Sequence, residues 1–245
     1  MTEREGGLTR RDFIRLGAVA GPASLVAACG WDGGSALEPR LRAFSRVNDW
    51  VGERILSPTR LAPEYPVSAR TRMENFPSYS ITYNQTGSFP SPPNPKAWVL
   101  EVGGLVRKPV RLTLSAIEAL PSQTYTVKHH CVEGWTAVAT WTGVPLATIV
   151  AMVEPTDQAR YLRFDSFDSD YYNGWDLKSA MHPQTILAYA YNDRPLMMNH
   201  GAPLRLYSPI KLGYKLTKYL TGVTLTSERP GGYWEDRGYP WFGGV

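Results

Sequence analysis

Apolar positions cluster into short segments separated by Pro- and Gly-rich breaks along most of the chain. The first apolar run, residues 16–28, spans thirteen positions and contains Gly17, Gly21 and Pro22. It is too short to cross a bilayer as a helix and has the length of a secretion-signal core. Leu41, Phe44, Val47, Trp50 and Val51 follow at spacings of three and four, which predicts an amphipathic helix. Ser91-Pro92-Pro93-Asn94-Pro95 reads as a rigid linker or loop ahead of the main body.

Trp98-Val99-Leu100-Glu101-Val102 predicts a strand, stopped by Gly103-Gly104. Ser115-Ala116-Ile117-Glu118 is a capping box that starts a short helix ending before Pro121. Residues 124–131 predict the next strand, whose period of two puts His129 and Cys131 on one face. Leu146, Ile149, Val150 and Val153 predict a helix over 146–153. Residues 161–164 read as a strand leading into the polar loop Asp165-Ser166-Phe167-Asp168-Ser169-Asp170. A helix is predicted after Pro183, with strands around 204–207 and 223–226. Helices and strands mix without a regular βαβ alternation, so the fold class is α+β.

Composition agrees. Among 245 residues, eight Trp, fourteen Tyr and twenty Pro favour short strands and irregular connections over a helical bundle. A net charge of +4, with no dense basic stripe, argues against general nucleic-acid binding.

The amino terminus carries an address. Thr9-Arg10-Arg11-Asp12-Phe13-Ile14-Arg15 ahead of the apolar run matches the twin-arginine export pattern, a route for proteins that fold before export. Leu25-Val26-Ala27-Ala28-Cys29-Gly30 resembles a lipobox, in which Cys29 becomes a lipid anchor; the alternative is ordinary cleavage nearby with Cys29 incidental. Three regions follow: 1–29, signal with lipobox; 30–95, N-terminal extension and Pro-rich linker; 96–245, the main domain. The expected location is the periplasm or the outer face of the cytoplasmic membrane.

Two stretches carry candidate chemistry. In Lys128-His129-His130-Cys131-Val132-Glu133-Gly134-Trp135, Cys131 is the only cysteine besides Cys29, so it has no disulfide partner within the main domain. It reads as a core residue, a nucleophile paired with His129, or a metal thiolate. Two imidazoles, a carboxylate and a tryptophan beside it weigh against plain core packing. The second stretch, His200-Gly201-Ala202-Pro203-Leu204-Arg205 followed by Lys211, Lys215 and Lys218, is the densest basic segment. Cations with glycines suit a phosphate, and a solvated basic face is the bland alternative. Trp135 and Trp141 read as packing residues, and His182 as a cap or core hydrogen bonder.

Together with Trp141-Thr142-Gly143 and the run from His200 to Lys218, the cysteine motif resembles the molybdopterin-binding domain of the sulfite oxidase family. The similarity extends from about Asn75 to the C-terminus. It is nearest the exported bacterial branch that includes a periplasmic protein-methionine-sulfoxide reductase and lacks haem and dimerisation domains. The resemblance implies a sulfite-oxidase-type fold of mixed sheets with short helices, and molybdenum bound through molybdopterin with Cys131 as its thiolate ligand. It places Asn75, Phe76, Ser166, His200, Arg205, Lys211, Lys215, Leu216, Thr217 and Lys218 at the cofactor. Glu133 and His129 join Cys131 as catalytic candidates. The sequence departs from that branch at three places: His200 stands where the reductase has asparagine, Ser166 where it has threonine, and Pro77-Ser78 where Tyr-Glu is usual. The implied reaction is a two-electron oxygen-atom transfer. Lacking a second arginine beside Cys131 to hold a dianion, the chain points to reduction of an S-oxide or N-oxide; sulfite-type oxidation, or a binding protein that has lost the cofactor, is the alternative. Four His and two Cys cannot supply a haem or iron–sulfur set in addition, so a separate electron-transfer partner, such as a membrane haem protein, is expected.

Overall fold

The structure, a computed structural model, describes residues 47, 49–54, 60–72, 76–92, 94 and 97–245. Ser45–Val245 make one compact unit. The export signal, Cys29, Leu41, Phe44 and Asn75 lie outside the described residues.

Two five-stranded sheets carry the fold. The first is built from β1 (Val99–Gly104), β2 (Val110–Thr113), β5 (Tyr161–Ser166), β6 (Tyr172–Asp176) and β10 (Leu220–Thr226), in the order β2-β1-β10-β5-β6. Within it β1 and β10 run parallel, and the remaining pairs are antiparallel. The second contains β3 (Gln123–His130), β4 (Thr136–Pro145), β7 (Ile186–Tyr191) and β8 (Arg194–Pro195) in that order, with β9 (Arg205–Tyr207) on the other edge of β7. Short helices fill the connections: α1 (Ile81–Thr86), α2 (Leu114–Glu118), α3 (Leu146–Met152) and α4 (Leu177–Ala180). Leu100, Val102, Phe164 and Val223 from the first sheet join Val127, Ala139, Trp141 and Leu187 from the second, with Leu146 and Ile149 of α3, in one buried cluster. Mixed sheets with short helices are the α+β architecture expected.

Several local expectations shift. Gly103-Gly104 does not stop β1. The strand continues through both, because Gly104 approaches β10 so closely that a Cβ would lie 2.3 Å from the Leu225 carbonyl oxygen. The cap of α2 is Thr113, whose Oγ1 accepts from Ala116 N at 3.2 Å, and Ser115 sits inside the helix. No helix follows Pro183; α4 precedes it, capped by Asp176, and 186–191 become β7. Pairing with both β4 and β9 satisfies the β7 backbone and buries Ile186, Leu187 and Ala188 completely, which a surface helix would not.

The helix through 49–54 forms, but Val47 and Trp50 on its apolar stripe are 55% and 53% exposed. Its buried residue is Asp49, whose carboxylate accepts Phe242 N at 2.9 Å and pairs with Arg229. An unmet backbone donor and a guanidinium in the C-terminal tail decide which face turns inward. Nor is the stretch 60–92 a detached linker. Tyr65 N donates to Thr126 O at 2.8 Å, Thr71 N to Val138 O at 2.8 Å, and Phe76 enters the core.

Gly143 is the tightest point of the second sheet: a Cβ there would lie 2.1 Å from the Leu187 carbonyl oxygen. Gly143→Ala is expected to destabilise the fold by roughly 2–3 kcal/mol, read as a lowered thermal midpoint.

Candidate active site

Cys131 leaves the end of β3 and opens a turn that closes onto β4. Its N–H donates to Trp135 O at 3.0 Å, and Gly134 N donates to Cys131 O at 3.1 Å. Gly134 supplies the left-handed conformation the turn needs, with φ +93°. The turn holds the thiol half-exposed and without a disulfide. Glu133 Oε2 accepts the Trp135 indole N–H at 3.0 Å and lies 3.9 Å from Cys131 Sγ. Burial first, and then the Glu133 charge, push the thiol pKa up, so metal-free Cys131 is a poor nucleophile.

His129, one strand position before the turn, is buried between Phe76 and Trp135, with ring centroids at 5.3 and 5.5 Å. Gly213 presses its backbone against this ring; a Cβ there would meet Nε2 at 2.9 Å. Burial, then Arg205, lower the His129 pKa to about 3, so the imidazole is neutral.

The basic stretch folds back along the same cavity in part only. Arg205, on β9, is 3% exposed, and each hydrogen bond it makes among the described residues goes to a backbone carbonyl: His200 O at 2.9 Å, Leu216 O at 3.4 Å and Leu206 O at 3.5 Å. Desolvation lowers its pKa to about 10, so it stays charged. The half-buried Lys218 donates to Ser78 Oγ at 2.9 Å, Tyr79 O at 2.6 Å and Asn199 O at 3.0 Å. Gly201 lets the Lys218 stem pass, since a Cβ there would come within 2.7 Å of it. His200, 1% exposed, meets Phe76 edge-on at 5.4 Å, and its pKa also falls to about 3 through burial and then Arg205.

Phe76, His129, Cys131, Glu133, Ser166, His200, Arg205, Leu216 and Lys218 therefore line one cavity. Lys211 and Lys215 do not. They are 1% and 0% exposed; Lys211 Nζ donates to Phe242 O at 2.7 Å, and Lys215 Nζ donates to Gly174 O at 2.9 Å and pairs with Glu235. Both lysines anchor the C-terminal tail, correcting their expected place at the cofactor. Thr217 is buried behind the wall, with its carbonyl accepting Leu206 N at 2.8 Å. His182 is committed elsewhere: Nε2 lies 3.1 Å from Arg60 O, and Nδ1 accepts Gln184 N at 3.1 Å.

Asp168 escaped the sequence reading. It is 5% exposed and accepts from Ser80 Oγ at 3.1 Å, Ile81 N at 3.1 Å and Thr82 N at 2.8 Å. Its own N–H donates to Ser166 Oγ at 3.0 Å, while that hydroxyl donates to Lys218 O at 2.8 Å. This chain of bonds fixes α1, and with it the turn 76–79 that walls the cavity. Trp234 and Tyr239, from the tail, were missed as well. Only their aromatic character between glycines marked them in the sequence.

A pterin bearing a phosphate fits these walls. A buried guanidinium satisfied only by carbonyls is an electrostatic demand for an anion. His129 Nδ1 and His200 Nε2 are buried without partners, two neutral imidazole nitrogens able to bond a polar heterocycle. Cys131 offers the soft thiolate that molybdenum accepts.

The Lys218 ammonium yields a test of the anion subsite. Burial, then Arg205, lower its pKa to about 7 in the free protein, and a bound dianion favours the charged form. Anion binding then takes up a proton above pH 7 and none below it. Sulfate, whose charge is constant from pH 5 to 9, is expected to bind cofactor-free protein with an affinity that is flat below pH 7 and falls toward about tenfold per unit above it. Titration calorimetry should show Lys218→Met removing that slope.

Comparison with known proteins agrees with the site. Residues 87–234 match the oxidoreductase molybdopterin-binding domain. Over 96% of this chain and 87% of the relative, the sequence is 38% identical to a protein of Azospira oryzae named as a protein-methionine-sulfoxide reductase subunit, YedZ1. It is 28% identical to the protein-methionine-sulfoxide reductase catalytic subunit MsrP of Campylobacter jejuni, over 92% of this chain and 76% of that one. Among solved structures, the sulfane dehydrogenase SoxCD of Paracoccus pantotrophus superposes with a TM-score of 0.52 at 21% identity, covering 54% of this chain and 39% of its own, a likeness of fold. Motif, cavity and similarity converge: this chain belongs to the sulfite-oxidase-type family of molybdopterin-binding oxidoreductases.

Proposed function

We propose that the chain is an exported molybdenum enzyme that reduces a neutral S-oxide or N-oxide, with methionine sulfoxide the leading candidate. One observation carries the choice of substrate. Beside Cys131 the cavity presents Val132, Glu133 and Trp135, with no cation on that turn. Lys128 instead places its ammonium 5.2 Å from the Tyr65 ring, and His130 is not on the cavity wall. A sulfite dianion would meet the Glu133 carboxylate, whereas a neutral oxide incurs no such repulsion. The relatives named as protein-methionine-sulfoxide reductases support the same direction.

Bound through Cys131 and a pterin dithiolene, molybdenum would supply the two-electron redox chemistry. Arg205 and Lys218 hold the pterin phosphate, and His129 and His200, kept neutral by burial, bond the heterocycle without adding charge. Leu216 contributes to the wall, and Ser166 acts by tying Lys218 to the Asp168 loop. The reaction consumes two electrons and two protons per oxide: the sulfur–oxygen bond breaks, the thioether leaves, and the oxygen departs as water. Glu133 is the ionisable group beside Cys131 and the candidate for delivering those protons. A separate redox protein, such as a membrane haem protein, provides the electrons. Twin-arginine export delivers the folded enzyme to the periplasm or the outer membrane face, with Cys29 as a candidate lipid anchor.

Protein exported with its own signal should contain one molybdenum per chain and reduce S- or N-oxides with reduced viologen as donor. Sulfite oxidation with no oxide reduction, or a metal-free product from a cofactor-competent host, would overturn this reading. Mass spectrometry of the mature N-terminus separates a diacylated Cys29 from a free amine on another residue.

A further inference from the structure

The cavity has a wall that neither the metal ligand nor the cofactor cradle accounts for. It comes from the C-terminal tail, which places Trp234 and Tyr239 on the cavity with ring centroids 5.1 Å apart. Tyr79, from the turn ahead of α1, adds a third ring 5.7 Å from Trp234.

The tail is built to hold Trp234 still. On its C-terminal side, Glu235 pairs with the buried Lys215, and Tyr172 OH bonds Asp236. The Arg237 guanidinium stacks 3.6 Å over Tyr233 and donates to its carbonyl at 2.6 Å. On its N-terminal side, Gly232 packs so tightly that a Cβ would overlap the Glu235 carboxylate. Such anchoring is costly to build for a ring whose surface is left partly exposed in a cavity, unless a ligand covers it.

We propose that Trp234, with Tyr79 and Tyr239, is the specificity-determining wall of the substrate site and recognises alkyl groups on the sulfur of a neutral sulfoxide. The inference rests on the oxide-reduction reading above. The polarised sulfur–oxygen bond leaves the S-alkyl hydrogens positively polarised, and aromatic faces are negative. Thioether sulfur also packs favourably against aromatic rings, so product and substrate share the contact. An inorganic oxyanion has no alkyl group to offer and is repelled by the same faces.

The test uses the exported, molybdenum-loaded full chain. Trp234→Leu keeps an apolar side chain without the ring, and Trp234→Phe keeps a ring. Reduction of L-methionine sulfoxide and of chlorate is followed with reduced viologen. Saturation-transfer NMR follows the S-methyl protons of N-acetylmethionine, a product analogue. The Leu variant is expected to raise KM for methionine sulfoxide about tenfold with kcat and molybdenum content held, and so to lower the preference for methionine sulfoxide over chlorate by a similar factor. Its S-methyl saturation signal should vanish, and the Phe variant should restore KM and signal to within about threefold of wild type. An unchanged KM in the Leu variant, an equal rise for chlorate, or a loss of kcat in step with molybdenum would overturn the proposal. Wild-type enzyme that reduces no oxide defeats the functional reading instead, and the S-methyl signal still tests the wall by itself.

Discussion

Cys131→Ala is expected to give a folded protein with no bound molybdenum and no oxide reduction. The side chain is half-exposed at the mouth of a turn whose hydrogen bonds are all main-chain, between residues 131, 134 and 135. Removing the sulfur leaves no buried cavity and no unpaired donor, so the stability change should stay within about 1 kcal/mol. The metal, by contrast, loses its only protein thiolate, since the other cysteine lies in the export segment. Metal analysis should fall from one molybdenum per chain to background, with the ligand-to-metal absorption lost and the thermal midpoint nearly unchanged. Full metal content in the variant would remove Cys131 from the centre. The same residue separates the metal reading from the thiol-enzyme reading: alkylation should be slow in loaded protein, where the thiolate is bound, and faster only once the metal is stripped.

What the sequence made legible divides along physical lines. Regular alternation and spacing located β3, β5, β10 and α3 because each buries one face, and the burial pattern is written into side-chain identity. The alternation of 124–131 also placed His129 and Cys131 on the cavity, where both are found. Failures came where long-range contacts override local preference. Nothing within 183–191 announces that its backbone will be claimed by β4 on one side and β9 on the other. The stripe of Val47 and Trp50 loses its inward place to Asp49, which answers a guanidinium 180 positions away.

The basic stretch shows the same limit within the site. Arg205, Lys211, Lys215 and Lys218 look alike as a charge cluster, yet the fold divides them into two pairs. Lys211 and Lys215 turn toward Phe242, Glu235 and Gly174, where carbonyls and a carboxylate absorb their charge. Arg205 and Lys218 face the cavity with carbonyls and a hydroxyl alone. Composition cannot report which cations find acids, because the acid lies in the tail and the pairing is tertiary. Asp168 was unreadable for a related reason: its partners, residues 80–82, are distant in sequence and mostly main-chain.

Arg205→Met should empty the cofactor site while leaving the bare fold standing. The guanidinium is 3% exposed and held in a low-dielectric setting without an acid partner among the described residues, a state the free protein tolerates at a desolvation cost. Methionine of similar reach removes that cost and keeps packing against Trp141, whose ring lies 4.8 Å from the guanidinium carbon. Against this, the carbonyls of His200 and Leu216 lose their donors, a loss of about 1 kcal/mol each. The opposing effects should leave cofactor-free protein within about 1–2 kcal/mol of wild type. The cofactor meets a different balance. Its phosphate loses its bidentate partner and keeps only Lys218, so retention through gel filtration is expected to fall by at least about a hundredfold. Arg205→Lys should recover part of that retention, because one point charge replaces the fork without its geometry. If Arg205→Met retained pterin and molybdenum at wild-type levels, the anion would have to bind elsewhere; if cofactor-free protein also unfolded, the guanidinium would be a structural cation and the cradle assignment would fail with it.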